Sequence, residues 1–127
     1  PKHRMESRMD QAKVKAVKPM VQFIERLQQT GGLKGTDIAN FTGVSQTTMS
    51  RWTTGQKSPN PNTQRIISDL SCVVMRLSEY YGPEEVRAWL YACHPQLDGE
   101  RAIDLVHGER TEEVIAILDR LEADAHI

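Results

Sequence analysis

LKGTDIANFTGVSQTTMSRWTTGQKSP, running from Leu33 to Pro59, reads as two short helices joined by a tight turn. Ile38 and Ala39 lie on the first helix. Gly43-Val44 forms the turn, where glycine reaches a left-handed backbone at little steric cost. Ser45 fits as the N-cap of the next helix, its hydroxyl accepting from backbone N–H groups of the first turn. That second helix is expected over about Gln46 to Thr53. At about 100° per residue, Met49 and Trp52 share one side, flanked by Thr48 and Thr53. Gln46, Thr47, Ser50, Arg51 and Thr54 share the other. This outward side carries groups suited to base edges: Gln bonds adenine bidentately, Arg does so to guanine, and Ser and Thr suit several bases. A second helix offered to a major groove by a first is the helix-turn-helix geometry. The plainer alternative is a helical hairpin with a solvated polar face.

Working outward, Ile38-Ala39, Gly43-Val44-Ser45, Met49, Arg51-Trp52, Gly55 and Pro59 together resemble the Xre (lambda-repressor-like) helix-turn-helix. The resemblance implies base contacts from Gln46, Thr47 and Arg51. Phosphate or secondary contacts are expected from Ser45, Thr48, Ser50 and Lys57. Two positions depart from the family: Gly35 stands where a DNA-contacting Gln is frequent, and Thr53 where an acid commonly follows the aromatic.

Before this stretch, Val17 to Gln29 predicts a packed helix with Val21, Ile24 and Leu27 at helical intervals and Met20 and Phe23 beside them. Thr30-Gly31-Gly32 ends it. Residues 1–16 hold Lys2, Arg4, Arg8, Lys13 and Lys15 without an apolar period. They read as a basic arm along phosphates, a solvated tail, or the start of a frayed helix. After Trp52, TTGQKSPNPN is a loop by composition. The longest helix is expected from Asn62 or Thr63 to about Tyr80, with Ile66, Ile67, Leu70, Val73, Val74, Leu77 and Tyr81 as its apolar stripe. Most of that stripe is expected in the core of one chain, with packing on a second copy as the alternative use of part of it. Gly82-Pro83-Glu84-Glu85 starts another helix, with proline first and acids at the positive end of the dipole. Its inner face is expected to hold Val86, Trp89, Leu90 and Cys93, and Pro95 stops it. Ala102, Ile103, Leu105 and Val106 mark a further helix ending at His107-Gly108. Thr111 is expected to cap the last one, whose inner face is Val114, Ile117, Leu118 and Leu121. The chain therefore reads as all-α, with about seven helices and no strand. Its expected organisation is a basic arm (1–16), a helix-turn-helix region (17–61), and a helical linker with a small C-terminal domain (62–127).

A chain of 127 residues allows one domain or two very small ones sharing a core. Aromatic residues make up only 6%, so the core must rely on aliphatic helix packing. No apolar run approaches the roughly 18 residues of a membrane span, and the basic N-terminal stretch lacks a signal-peptide core. A cytoplasmic protein is expected, with no membrane contact. Cys72 and Cys93 then read as buried, reduced thiols. Cys93-His94 with His107 or His126 lacks zinc-ligand spacing, and no metal or cofactor is expected. No catalytic carboxylate pair, nucleophile–base set or phosphate loop stands out, so an enzyme is not expected.

The net charge of −1 conceals an asymmetry. Residues 1–58 carry ten Lys/Arg against four Asp/Glu, a balance of +6, and residues 59–127 carry six against thirteen, a balance of −7. A basic half holding the helix-turn-helix suits a polyanion. An acidic half suits a basic partner.

The C-terminal half carries a second resemblance. Trp89-Leu90, Pro95, Leu97-Asp98-Gly99, Ile103-Asp104-Leu105-Val106, Gly108-Glu109 and the Val114-to-Leu121 helix look like the toxin-binding domain of Xre/MbcA/ParS-type antitoxins. Ala102 replaces a usual Pro and Asp124 a usual Gly. The resemblance implies a type II antitoxin, dimeric on operator DNA and hetero-oligomeric with a RES-domain toxin that consumes or uses NAD. It also implies that the C-terminal part covers the toxin's NAD pocket and that the complex represses its own operon. The toxin contacts implied are Asp98, Gly99, Glu100, Arg101 and Asp104, with the tail Asp124, Ala125, His126 and Ile127. There the acids and terminal carboxylate would mimic a dinucleotide's pyrophosphate. The alternative reading is a stand-alone Xre-family repressor whose helical C-terminal part dimerises or binds an effector.

Overall fold

The turn at Gly43 sets the architecture. In a computed structural model of the chain, which describes residues 20–125 and no side chain at 125, Gly43 adopts φ 74°, ψ 27°. It ends helix α2 (Gly35–Thr42), and Ser45 opens helix α3 (Gln46–Thr53). The Ser45 hydroxyl accepts from the Thr48 amide at 3.2 Å, as the cap reading requires. Met49 and Trp52 turn inward, and the opposite side of α3 is exposed.

Helix α1 (20–29) precedes this pair and buries Met20, Ile24 and Leu27. Four helices follow it: α4 (Pro61–Leu77), α5 (Pro83–Tyr91), α6 (Ala102–His107) and α7 (Thr111–Ala125), with a 3-10 turn at Pro95–Leu97 between α5 and α6. Among the described residues there are thus seven α-helices and no strand. A single antiparallel bridge pairs Cys93 with Arg101 and closes the 3-10 loop.

One apolar cluster runs from Met20 to Leu118 and joins both halves of the chain. Helix α4 is its spine. Ile67, Leu70, Val73, Val74 and Leu77 are wholly buried within the single chain, which leaves little of the stripe for a second copy. At Gly31 an added Cβ would lie 3.1 Å from Val74, and 2.7 Å from the Leu27 carbonyl, so α1 and α4 approach through a residue without a side chain. Gly32 has φ +64°, and a Cβ there would lie 2.5 Å from the Pro83 carbonyl oxygen. The start of α5 therefore rests on the backbone just ahead of α2.

Several local expectations are corrected. Helix α4 begins at Pro61, not at Asn62 or Thr63, because Asn60 caps it, accepting from the Thr63 amide at 2.9 Å, and proline suits the first helical position. It stops at Leu77, short of Tyr80. Thr111 is the first residue of α7 rather than its cap. Its hydroxyl donates to Asp69 on α4 instead. Cys72 and Cys93 are free but exposed, not buried. Cys72 lies off the α4 stripe, and Cys93 falls beyond the last turn of α5, in the bridged segment.

Candidate functional site

The outer face of α3 holds the base-reading candidates together. Gln46, Thr47, Ser50 and Arg51 are exposed on it, with Ser45 at its start and Lys57 in the loop beyond. Thr48 is half-buried, with its hydroxyl accepting from that of Ser45 at 3.2 Å. The Lys57 amide donates to the Arg51 carbonyl at 3.2 Å, which folds the loop back on the end of α3. At Gly35, an added Cβ would lie 2.9 Å from the Met49 methyl group. The residue that departs from the Xre pattern thus lets α2 and α3 close on each other.

Behind this face, α2 is tied to the C-terminal half by a polar cluster. Asp37, with only 12% of its side chain exposed, accepts from the Arg87 guanidinium in two bonds of 3.1 Å. It also accepts from the Tyr91 hydroxyl at 3.1 Å and the Lys34 amide at 2.8 Å. Burial pulls the Asp37 pKa upward, but the bonds from Arg87, Lys34 and Tyr91, with the Arg87 charge, together hold it below its ordinary value. Burial, then the Asp37 carboxylate, push the Tyr91 phenol the other way. Arg87 and Arg101 both lie over the Tyr91 ring, at 4.8 and 5.5 Å from its centre. Further along α2, the Phe41 carbonyl meets His107 Nδ1 at 2.8 Å. His94 Nε2 meets the Trp89 carbonyl at 2.8 Å. Both imidazoles are therefore engaged with backbone oxygens.

The partner-binding candidates separate into two groups. Asp98 and Gly99 take left-handed conformations, φ 56° and 81°. Asp98 thus closes the 3-10 turn; it does not start a helix, and its side chain is exposed. Glu100 accepts from Arg110 at 3.0 Å. Arg101 grips Asp104 through bonds of 2.7 and 2.9 Å. Within this loop, then, Glu100, Arg101 and Asp104 are matched inside the chain. Arg101 and Asp104 line a hollow of about 170 Å³ with Asn40, Phe41, Tyr91, Ile103 and His107. Asp124 lines a different hollow, of about 290 Å³, with Tyr80, Tyr81 and Leu121. The side chain of Ala125, and His126 and Ile127, lie outside the described residues, as does the basic stretch 1–16.

Neither the Asp37 cluster nor the tyrosine hollow was found by sequence reasoning. Arg87 and Tyr91 at i and i+4 on one helix hint at a shared face. The pair Tyr80-Tyr81 directly before a Gly-Pro helix start marks a second signal. Among the described residues, no helix is long and apolar enough to cross a membrane.

No family model matches the chain. It is 29% identical over 99 residues to the mycobacterial cidal antitoxin MbcA of Mycobacterium tuberculosis, covering 77% of this chain and 83% of that protein. It is 32% identical over 83 residues to the probable mycobacterial cidal antitoxin Rv3188 of the same organism, covering 65% of this chain and 70% of the relative. In three dimensions it matches a chain of the crystal structure of the M. tuberculosis MbcT–MbcA toxin–antitoxin complex. The TM-score is 0.67 at 22% identity, over 76% of this chain and 86% of that one, which is a likeness of fold. With this identity and coverage, the chain belongs to the mycobacterial cidal antitoxin family.

Proposed function

We propose that this chain is the antitoxin of a type II pair: it binds a RES-type, NAD-using toxin and blocks it sterically, and it represses its own operon through α3. Membership in an antitoxin family carries the reading, and the MbcT–MbcA complex supports a cognate toxin as partner. The chain acts by binding and needs no cofactor of its own. On the operator, two copies present α3 to paired half-sites in the manner of an Xre domain, with Gln46, Thr47 and Arg51 on base edges and Ser45, Thr48, Ser50 and Lys57 on phosphates or in support. The toxin is met by the acidic half, from the loop Asp98–Asp104 and the end of α7, including Asp124, Ala125, His126 and Ile127.

Two surfaces of opposite chemistry support this division of labour. The α3 face carries Arg51 and, beyond it, Lys57, without a bulky apolar side chain, whereas the α7 end carries acids beside the exposed Tyr80 and half-buried Tyr81. Separate variants test it. Arg51→Ala weakens operator binding in a gel-shift assay and leaves toxin neutralisation intact. Deletion of residues 123–127 weakens neutralisation and leaves operator binding intact. Loss of toxin binding by a folded Arg51→Ala protein contradicts the division.

A further inference from the structure

The turn Tyr80-Tyr81, just past the end of α4, and the end of α7 border a shallow hollow whose walls are apolar and whose rim is acidic. Tyr80, Tyr81, Leu121 and Asp124 line about 290 Å³ of space, room for one large side chain. Tyr80, in its wall, is 39% exposed, one of two exposed large hydrophobic side chains among the described residues. An exposed aromatic in the wall of an apolar hollow edged by charge marks a contact site. The walls are fixed in advance. Arg76 on α4 reaches across to Asp119 at 2.8 Å and Glu122 at 2.9 Å on α7, so little ordering remains to be done on binding.

The charge around the hollow is one-sided. Asp124 lines it and the Glu79 and Glu122 carboxylates act on Tyr80 in its wall, with Glu122 also paired to Arg76. Partial burial first, and then the carboxylates of Glu122 and Glu79, push the Tyr80 phenol pKa up against the opposing Arg76 charge. By contrast, the loop at Glu100–Asp104 pairs its charges within the chain. We propose that the hollow between the turn after α4 and the end of α7 is the principal toxin seat, taking an apolar side chain of the toxin that is flanked by Lys or Arg. This inference rests on the antitoxin reading and deepens it: the lead contacts become Tyr80, Tyr81, Leu121 and Asp124 rather than the loop. An apolar side chain fills the hollow while the flanking cations meet the rim. That combination gives affinity from burial and selectivity from charge.

The test uses the full chain and the purified product of the reading frame adjacent to its gene, with titration calorimetry as the readout. Tyr80→Ala and Leu121→Ser are each expected to weaken toxin binding about tenfold or more. Asp124→Lys is expected to weaken it and to flatten its dependence on salt. Circular dichroism of each variant establishes that it is folded, and Asp124→Lys changes an exposed residue whose loss disturbs no bond among the described residues. Wild-type binding with all three variants unchanged overturns the proposal and leaves the antitoxin reading standing. Failure of the wild-type chain to bind overturns the antitoxin reading and the proposal with it. If Tyr80→Ala instead dissolves a dimer in sedimentation analysis while toxin affinity is unchanged, the occupant is a second copy and the proposal is wrong.

Discussion

Asp37 shows how one residue serves two halves of the chain. Its carboxylate sits in the first turn of α2 and accepts four hydrogen bonds, three of them from α5 residues about fifty positions away. Replacing it with Ala leaves Arg87 and Tyr91 without their acceptor and is expected to destabilise the fold by about 2 kcal/mol, measured by urea unfolding. The pH dependence has a defined sign. Because the Asp37 pKa is lowered from 3.8 on folding, its stabilisation is full above that value and is lost as pH falls through the folded pKa. The stability gap between wild type and Asp37→Asn is therefore constant above about pH 5 and shrinks below about pH 4. Gly32 makes a second prediction at this scale. With φ +64° and the Pro83 carbonyl in the place of a Cβ, Gly32→Ala is expected to cost roughly 2 kcal/mol or more in the same unfolding assay. Ser45 as a cap and Gly43 as a left-handed turn were legible from neighbouring residues, because caps and turns are local chemistry. Asp37 was not, since its partners lie in another helix and no periodicity points to them.

At the scale of elements, α3 separates stability from recognition by its two faces. Trp52 is 4% exposed, and Trp52→Ala is expected to cost about 3–5 kcal/mol, close to the whole stability of a small domain. Arg51→Ala on the opposite face is expected to shift stability by no more than about 0.5 kcal/mol, with the loss appearing only in DNA binding. Thermal melts of the two variants side by side check the contrast. All seven helices were foreseen, the longer ones from apolar residues at helical spacing and the others from turn, cap and start signals. Their ends were less legible. Asn60 is an ordinary loop residue by composition, and only its geometry shows that it caps α4 and lets Pro61 begin it. The exposed cysteines were misread for a related reason: Cys is apolar by type, yet Cys72 lies off the buried stripe and Cys93 past a helix end.

At the scale of the molecule, the helices α2 and α3 are not a detachable reading head. The core from Met20 to Leu118 is continuous, and α1 leans on α4 through Gly31. A fragment ending at residue 61 loses the α4 part of that core, from Ile66 to Leu77, and is expected to show no cooperative unfolding transition by circular dichroism. The charge division was legible in the sequence, and it agrees with the separation of the α3 face from the α7 end. The way the acidic half spends its charge was hidden. Arg76, Arg101 and Arg110 neutralise several acids within the chain, and only the folded arrangement shows which acids remain at the α7 end. Growth of cells expressing the adjacent reading frame, with and without this chain, tests the antitoxin role most directly. The account predicts growth arrest by the neighbour alone, and recovered growth with a co-purifying complex when this chain is present. Arrest that persists despite expression of the folded chain, with no complex recovered, would contradict it.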